Sequence, residues 1–255
     1  VRPIKDVLTE SGMVLDWLKT KDYKIIYTRE ELMEFVDGLK DYDDSEMPVG
    51  FDTETSGLLI NRHKLDILVG ICMSYVDHAG VYIPLQHSTM NNINMPMEEV
   101  LEILKPYIDS RSKDKKAMLT HNGKFDWGVM KMYDIELNIV HDTLTKQAVL
   151  NIGKTGTLMK LKKIAEDILG YDVLELEDLY EYPSSAEFKA LQNAVQKGLQ
   201  CDPITKRKLL AVENATPTEI KKNMFDFRFA SEEFVEIYGP ADADFSRLIF
   251  KHMQD

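Results

Sequence analysis

The sequence predicts an α/β fold in which helices cover a mixed sheet. Three observations predict it. Strand-like apolar runs crowd the first half of the chain, helical periodicity takes over from Thr143, and 255 residues at 44% hydrophobic content can enclose one substantial core. The net charge of −12 argues against a tight, sequence-independent duplex binder, because such binding depends on Lys and Arg displacing counterions from phosphates.

The elements follow in order. Residues 1–21 read as an N-terminal extension. KIIYT, at 24–28, reads as a strand, and Thr28 with Glu31 forms a capping box that opens the helix EELMEFVDGLK. After the polar turn DYDDSEM come three strands: VGFDT, ILVGICMSYV (67–76) and GVYIPL (80–85), the last two joined by a hairpin turn over Asp77–Gly80. A helix at MEEVLEILKPYI, a short strand at KAMLT, a helix from Gly123 to Tyr133 and a strand near LNIVHD come next. Helical patterns then run through TLTKQAVL, TLMKLKKIAEDILG, EFKALQNAVQKG, SEEFVEIY and ADADFSRLIFKHM. Residues 171–230 are the least legible part, because Pro183, Pro203 and Pro217 interrupt short helical patches.

No segment approaches the roughly 18 apolar residues of a membrane span, so no membrane partner is expected. Two cysteines, Cys72 and Cys201, are too few for a disulfide framework and lack metal-ligand spacing. A reducing compartment follows as the expectation, with small buried hydrophobes as the role of both thiols.

Chemistry is concentrated in three segments. In VGFDTETSGL (49–58), Asp52 and Glu54 stand at i and i+2 of a strand and share one face. Phe51 and Thr53 point into the other layer. Two like charges side by side at the end of an apolar strand are unfavourable unless a cation joins them, although a solvated acidic strand end has the same spelling. In LTHNGKFDWGVM (119–130), Asp126 lies in the first turn of a helix, where the dipole alone also favours an acid. In YGPADAD (238–244), helical geometry would put Tyr238 and Asp242 on one face at i and i+4.

In this order the segments resemble the 3′-to-5′ exonuclease (proofreading) domain of family A DNA polymerases, within the DEDD superfamily. Asp52 and Glu54 match its D-x-E motif. Asn122, Lys124, Phe125 and Asp126 match N-x-K-[FY]-D, and Tyr238 with Asp242 matches Y-x-x-x-D. The flanking text VGICMSYVDHAGVYIPLQH, HDTLTKQAVLN and LKKIAEDILGY is also similar, so the resemblance covers residues 22–255 with an insertion at about 171–230. Motif three carries Tyr rather than His, which places the chain in the tyrosine subclass. His121 stands five before Asp126 but lies inside motif two.

The resemblance implies a ribonuclease H-like sheet and two divalent ions, Mg²⁺ or Mn²⁺. Asp52 would bridge both ions, Glu54 and Asp242 would complete the first, and Asp126 would hold the second. Tyr238 would orient the attacking water, and 5′-mononucleotides would leave the 3′ end of single-stranded or frayed DNA. Thr53, Leu58, Asn122 and Phe125 would contact the substrate, with a core role as the alternative for Leu58. Lys160, Lys162 and Lys163, with Lys154, read as a solvated helix face, or else as phosphate contacts. A polymerase domain or subunit is the implied partner, in the cytoplasm of a bacterium or phage-infected cell. Trimming of RNA 3′ ends and a catalytically silent scaffold are the alternatives. In two respects the chain departs from the family: the connection between motifs two and three is longer, over most of 171–230, and Gly239 and Pro240 follow Tyr238, where proline's missing N–H and its clash with the preceding turn predict a kink or a fresh helix start.

Overall fold

The computed structural model describes residues 4–45, 47–58, 66–88, 93–113, 118–153, 159–173, 182–211 and 216–254. Among them six strands form one sheet in the order β1-β4-β3-β2-β5-β6. These are β1 (Asp22–Ile25), β2 (Val49–Thr55), β3 (Leu68–Ser74), β4 (Ala79–Pro84), β5 (Met118–Thr120) and β6 (Ile139–Asp142). β3 pairs antiparallel with β2 and β4, while β1–β4, β2–β5 and β5–β6 are parallel. The sheet is mixed, as its sequence implied.

Ten α-helices of the described residues accompany it: α1 (Ile4–Ser11), α2 (Arg29–Asp41), α3 (Met97–Lys113), α4 (Lys124–Lys131), α5 (Thr143–Leu150), α6 (Leu161–Leu169), α7 (Ser185–Gln196), α8 (Pro203–Leu210), α9 (Pro217–Met224) and α10 (Glu232–His252). The predicted capping box of Thr28 and Glu31 opens α2 through both reciprocal hydrogen bonds. Strands β2, β3 and β4 present residues to two cores. Phe51, Ile71 and Met73 meet Leu32, Val36 and Leu104 of α2 and α3, whereas Val69, Cys72 and Tyr82 meet Phe234, Val235 and Ala243 of α10.

α10 crosses the sheet and controls the height at which its side chains arrive. Of the kink or fresh helix start predicted at Gly239-Pro240, the fresh start is not there: one helix runs from Glu232 to His252 with Pro240 inside it. Tight packing overrides the local penalty. A Cβ on Gly239 would stand 2.4 Å from the Tyr82 ring and 3.1 Å from Cys72 Sγ, so glycine lets the helix lie down on β3 and β4. Farther along, Asp244 accepts from Lys21 Nζ (2.8 Å), Tyr23 Oη (2.8 Å) and the His78 amide (2.9 Å). Arg247 donates to the Pro48 carbonyl (2.7 Å) and to Asp77 (3.1 Å). Both charges are buried, so these bonds specify one register of α10 on the sheet. Trp17, ahead of β1, packs edge-on against Phe245 with centroids 5.2 Å apart, in a third core with Leu161, Ile164 and Ile249.

Helices α7, α8 and α9 form a satellite with its own small core of Phe188, Val195, Leu209 and Ile220. Its prolines do not interrupt helices, contrary to the sequence reading. Pro203 and Pro217 occupy the first turns of α8 and α9, capped by Asp202 and Thr216, where proline lacks only an N–H that would have no partner within the helix.

Candidate active site

The apolar residues of β2 carry the chain into the interior and deliver Asp52 and Glu54 to the face covered by α10. Cys72 pairs with Asp52 across the strands, and ligand atoms of Asp52, Glu54 and Cys72 lie within 4.8 Å of one another. Glu54 is buried and Asp52 keeps partial contact with solvent. Burial pushes Asp52 up to about 6, against the pull of Lys162 and the Thr53 amide. Burial, then the charge of Asp52, raises Glu54 well above the usual carboxylate range. Burial and the same two carboxylates hold Cys72 as a thiol.

Asp126 enters from the first turn of α4, only 1% exposed. Its Oδ1 accepts from the Thr53 amide (3.0 Å) and the Thr53 hydroxyl (2.7 Å). Oδ2 is buried with no hydrogen-bond partner. Burial and then the charge of Asp52 raise its pKa well above the ordinary value. Position 122 is left-handed, at φ 68°, a conformation asparagine tolerates, and a Cβ on Gly123 would fall 2.1 Å from Thr120 Oγ1. Asp142 accepts from the amides of Asn122 (3.1 Å) and Gly123 (2.9 Å) and also caps α5. That support was not identified from sequence, although an Asp before TLTKQ carries an N-cap signal.

Asp242 and Tyr238 come from one face of α10, as their spacing predicted. Lys162 of α6 meets both: its ammonium bonds Asp242 Oδ1 and sits 3.6 Å from the centroid of the Tyr238 ring. Phe234, with its centroid 4.6 Å away, and Phe227 at 5.9 Å hold the other sides of that ring. The reading of the lysines as a solvated helix face therefore fails for Lys162, which is 5% exposed, and holds for Lys163, which is paired with Glu166 on the surface. The apolar neighbours Leu161, Ile164 and Ala165 sink the face of α6 that carries Lys162. Lys154 lies outside the described residues.

Lys162 bonds Asp242 and acts by charge on Asp52 and Glu54, and Asp126 lies within reach of the Asp52 charge, so one described ammonium faces several acids. The orphaned Oδ2 of Asp126, the raised carboxylates and the hard oxygen donors fit divalent ions of the Mg²⁺ or Mn²⁺ type. Cys72 is a poor thiolate ligand in this environment.

The proposed substrate contacts are placed unevenly. Leu58 projects just past β2 at 70% exposure, which excludes the core alternative. Asn122 is exposed, and Phe125 is half-buried against the main core. The hydroxyl of Thr53 is turned to Asp126. His121 is tied between Thr143 (2.8 Å) and the Met159 carbonyl (2.9 Å), away from motif-three duty.

A family model described as 3′-5′ exonuclease matches residues 23–210. DNA polymerase I of Synechocystis sp. is 30% identical over 174 residues, covering 67% of this chain and 17% of that protein. DNA polymerase I of Rhizobium leguminosarum is 28% identical over 149 residues, covering 51% of this chain and 14% of that protein. The chain thus spans about one sixth of these relatives. In fold it is similar to Trypanosoma brucei RNase D in its complex with GMP, with a TM-score of 0.51 and 12% identity over 92% of this chain and 57% of the other. Among the described residues no helix is long and apolar enough to cross a membrane. With its carboxylates gathered on a ribonuclease H-like sheet and most of its length matched by one family, the chain belongs to the 3′-5′ exonucleases of family A DNA polymerases.

Proposed function

We propose that the chain removes nucleotides from the 3′ end of single-stranded or frayed DNA, releasing 5′-mononucleotides, as the editing part of a polymerase. The observation that carries this reading is Lys162, whose ammonium bonds Asp242, lies over the Tyr238 ring and acts by charge on Asp52 and Glu54, while the charge of Asp52 acts in turn on Asp126. Asp52, Glu54, Asp126 and Asp242 would hold two divalent ions. When bound, such ions lower the pKa of the attacking water and stabilise the attacking and leaving oxygens of an in-line phosphoryl displacement.

The chain's own residues do the rest. Thr53 fixes one oxygen of Asp126 and leaves the other, buried and without a hydrogen-bond partner, to serve as an ion ligand. Tyr238, its ring held between Phe234 and Lys162, would orient the attacking water. The exposed Leu58 offers an apolar surface for the last base, and Asn122 a polar contact to the terminal nucleotide. An acidic chain suits a short grip on a frayed end, with broader affinity supplied by a polymerase domain or subunit in the cytoplasm.

A 5′-labelled DNA oligonucleotide should shorten stepwise with Mg²⁺ and stay intact in EDTA, while the matching RNA is a poor substrate. Faster loss of the RNA would move the assignment to exoribonuclease. Survival of both polymers with metal present would leave a silent scaffold.

A further inference from the structure

The satellite of α7, α8 and α9 sends two cations away from its own core. Lys208 is only 7% exposed, and its ammonium bonds the carbonyl oxygens of Ser56 and Phe225 and lies 3.1 Å from Asp226 Oδ2. Arg207, beside it on α8, donates to Asp66 Oδ1. Burying an ammonium costs several kcal/mol unless it is fully matched. The satellite's apolar core of Phe188, Val195, Leu209 and Ile220 does not require that burial.

The partners explain it. Ser56, just past β2, is bonded to Asp66 and Ile67, just ahead of β3. The Ser56 amide donates to the Ile67 carbonyl (3.0 Å), the Ile67 amide to Ser56 Oγ (3.0 Å), and Ser56 Oγ to Asp66 Oδ1 (3.0 Å). A Cβ on Gly57 would stand 2.8 Å from Asp66 Oδ2, so nothing larger fits inside this clasp. Leu58 is the next residue. At 70% exposure its side chain gains little from packing, so its position is set by the backbone at Ser56 and Gly57.

We infer that Arg207 and Lys208 are positioning residues: the helical satellite clips the base of the loop after β2 and thereby holds Leu58 where the terminal nucleotide is received. This rests on the exonuclease reading for the role of Leu58, but the clip itself can be read without turnover. Lys208→Met, Arg207→Gln, Leu58→Ala and the Lys208→Met/Leu58→Ala double variant of the full chain are compared on single-stranded DNA with Mg²⁺.

Each single change should raise KM about fivefold with kcat held within about twofold, as expected when orientation of a remote contact is lost. The double variant should be no worse than the poorer single, because Lys208 acts through Leu58. Lys208→Arg should restore part of the loss. Amide hydrogen exchange at Ser56–Leu58 and Ile67 should accelerate in Lys208→Met and Arg207→Gln, while Phe51 and Ile71 stay protected.

Additive effects in the double variant, or a fall in kcat at constant KM, would overturn the positioning role. Unchanged exchange at Ser56–Leu58 would overturn the clip. A wild-type chain that cuts nothing, with exchange accelerated as stated, would sink the exonuclease reading and leave the clip standing. Arg207→Gln keeps the test open should Lys208→Met fail to fold.

Discussion

Asp52 offers a direct electrostatic test. Burial lifts it from the ordinary 3.8 to about 6 in the metal-free protein. A raised carboxylate binds its proton more tightly when folded, so its stabilising contribution is full below the unfolded pKa and is lost as pH rises through about 6. Two pKa units correspond to about 3 kcal/mol, and the partial solvent contact of Asp52 reduces this to about 2 kcal/mol. His87 contributes the opposite slope over the same window. Its burial lowers it to about 4, so its stabilisation is present above the usual histidine range and lost as pH falls through about 4.

The raw stability curve therefore mixes two trends, and the diagnostic quantity is the difference between the wild type and Asp52→Asn. Asparagine imitates the protonated acid at every pH. In EDTA the two proteins should have equal stability near pH 4, and the variant should be more stable by about 2 kcal/mol above about pH 7. For a domain of this size that is about 4–8 °C in Tm, read by circular dichroism. Saturating Mg²⁺ should reverse the order, because only ionised carboxylates bind it. A wild-type-minus-variant difference that stays flat with pH would refute the claim that Asp52 is held in a charged, desolvated cluster.

Other perturbations test individual contacts. Thr53→Val deletes the 2.7 Å bond to Asp126 and should weaken Mg²⁺ binding by about tenfold by calorimetry, the scale for losing a partner that orients a metal ligand. Gly239→Ala places a methyl 2.4 Å from the Tyr82 ring and should cost about 1–3 kcal/mol in urea unfolding, with hydrolysis falling as Tyr238 shifts. Lys162→Met should tighten Mg²⁺ binding several-fold, since the ammonium competes for Asp242, and should lower the Tm of the metal-free protein by removing the cluster's only described cation. Equal calorimetric affinity in that variant would show that Lys162 does not compete for the site.

Much of the site was legible because its signals are local. The i, i+2 spacing in β2 and the i, i+4 spacing in α10 each put two groups on one face. The capping box at Thr28 is likewise complete within four residues. What remained hidden depends on partners far away in the chain. Lys162 looks solvated in LKKIAED until Leu161, Ile164 and Ala165 turn its face toward α10. Lys208 meets Ser56 across 152 positions, and no local pattern announces that contact. Gly239-Pro240 allows the reading of a fresh helix start because helix propensity cannot register the Tyr82 ring that selects glycine there. Pro203 and Pro217 misled in the opposite way: proline ends one helix pattern and starts the next, and only the caps at Asp202 and Thr216 distinguish the two.

The central claim is that four carboxylates from β2, α4 and α10 hold a pair of divalent ions. Anomalous diffraction from crystals soaked in Mn²⁺ tests it most directly. Two peaks about 4 Å apart, both touching Asp52, with Asp126 at one and Glu54 and Asp242 at the other, are the predicted result. A map without manganese among these side chains, with Lys162 still bonded to Asp242, would contradict it.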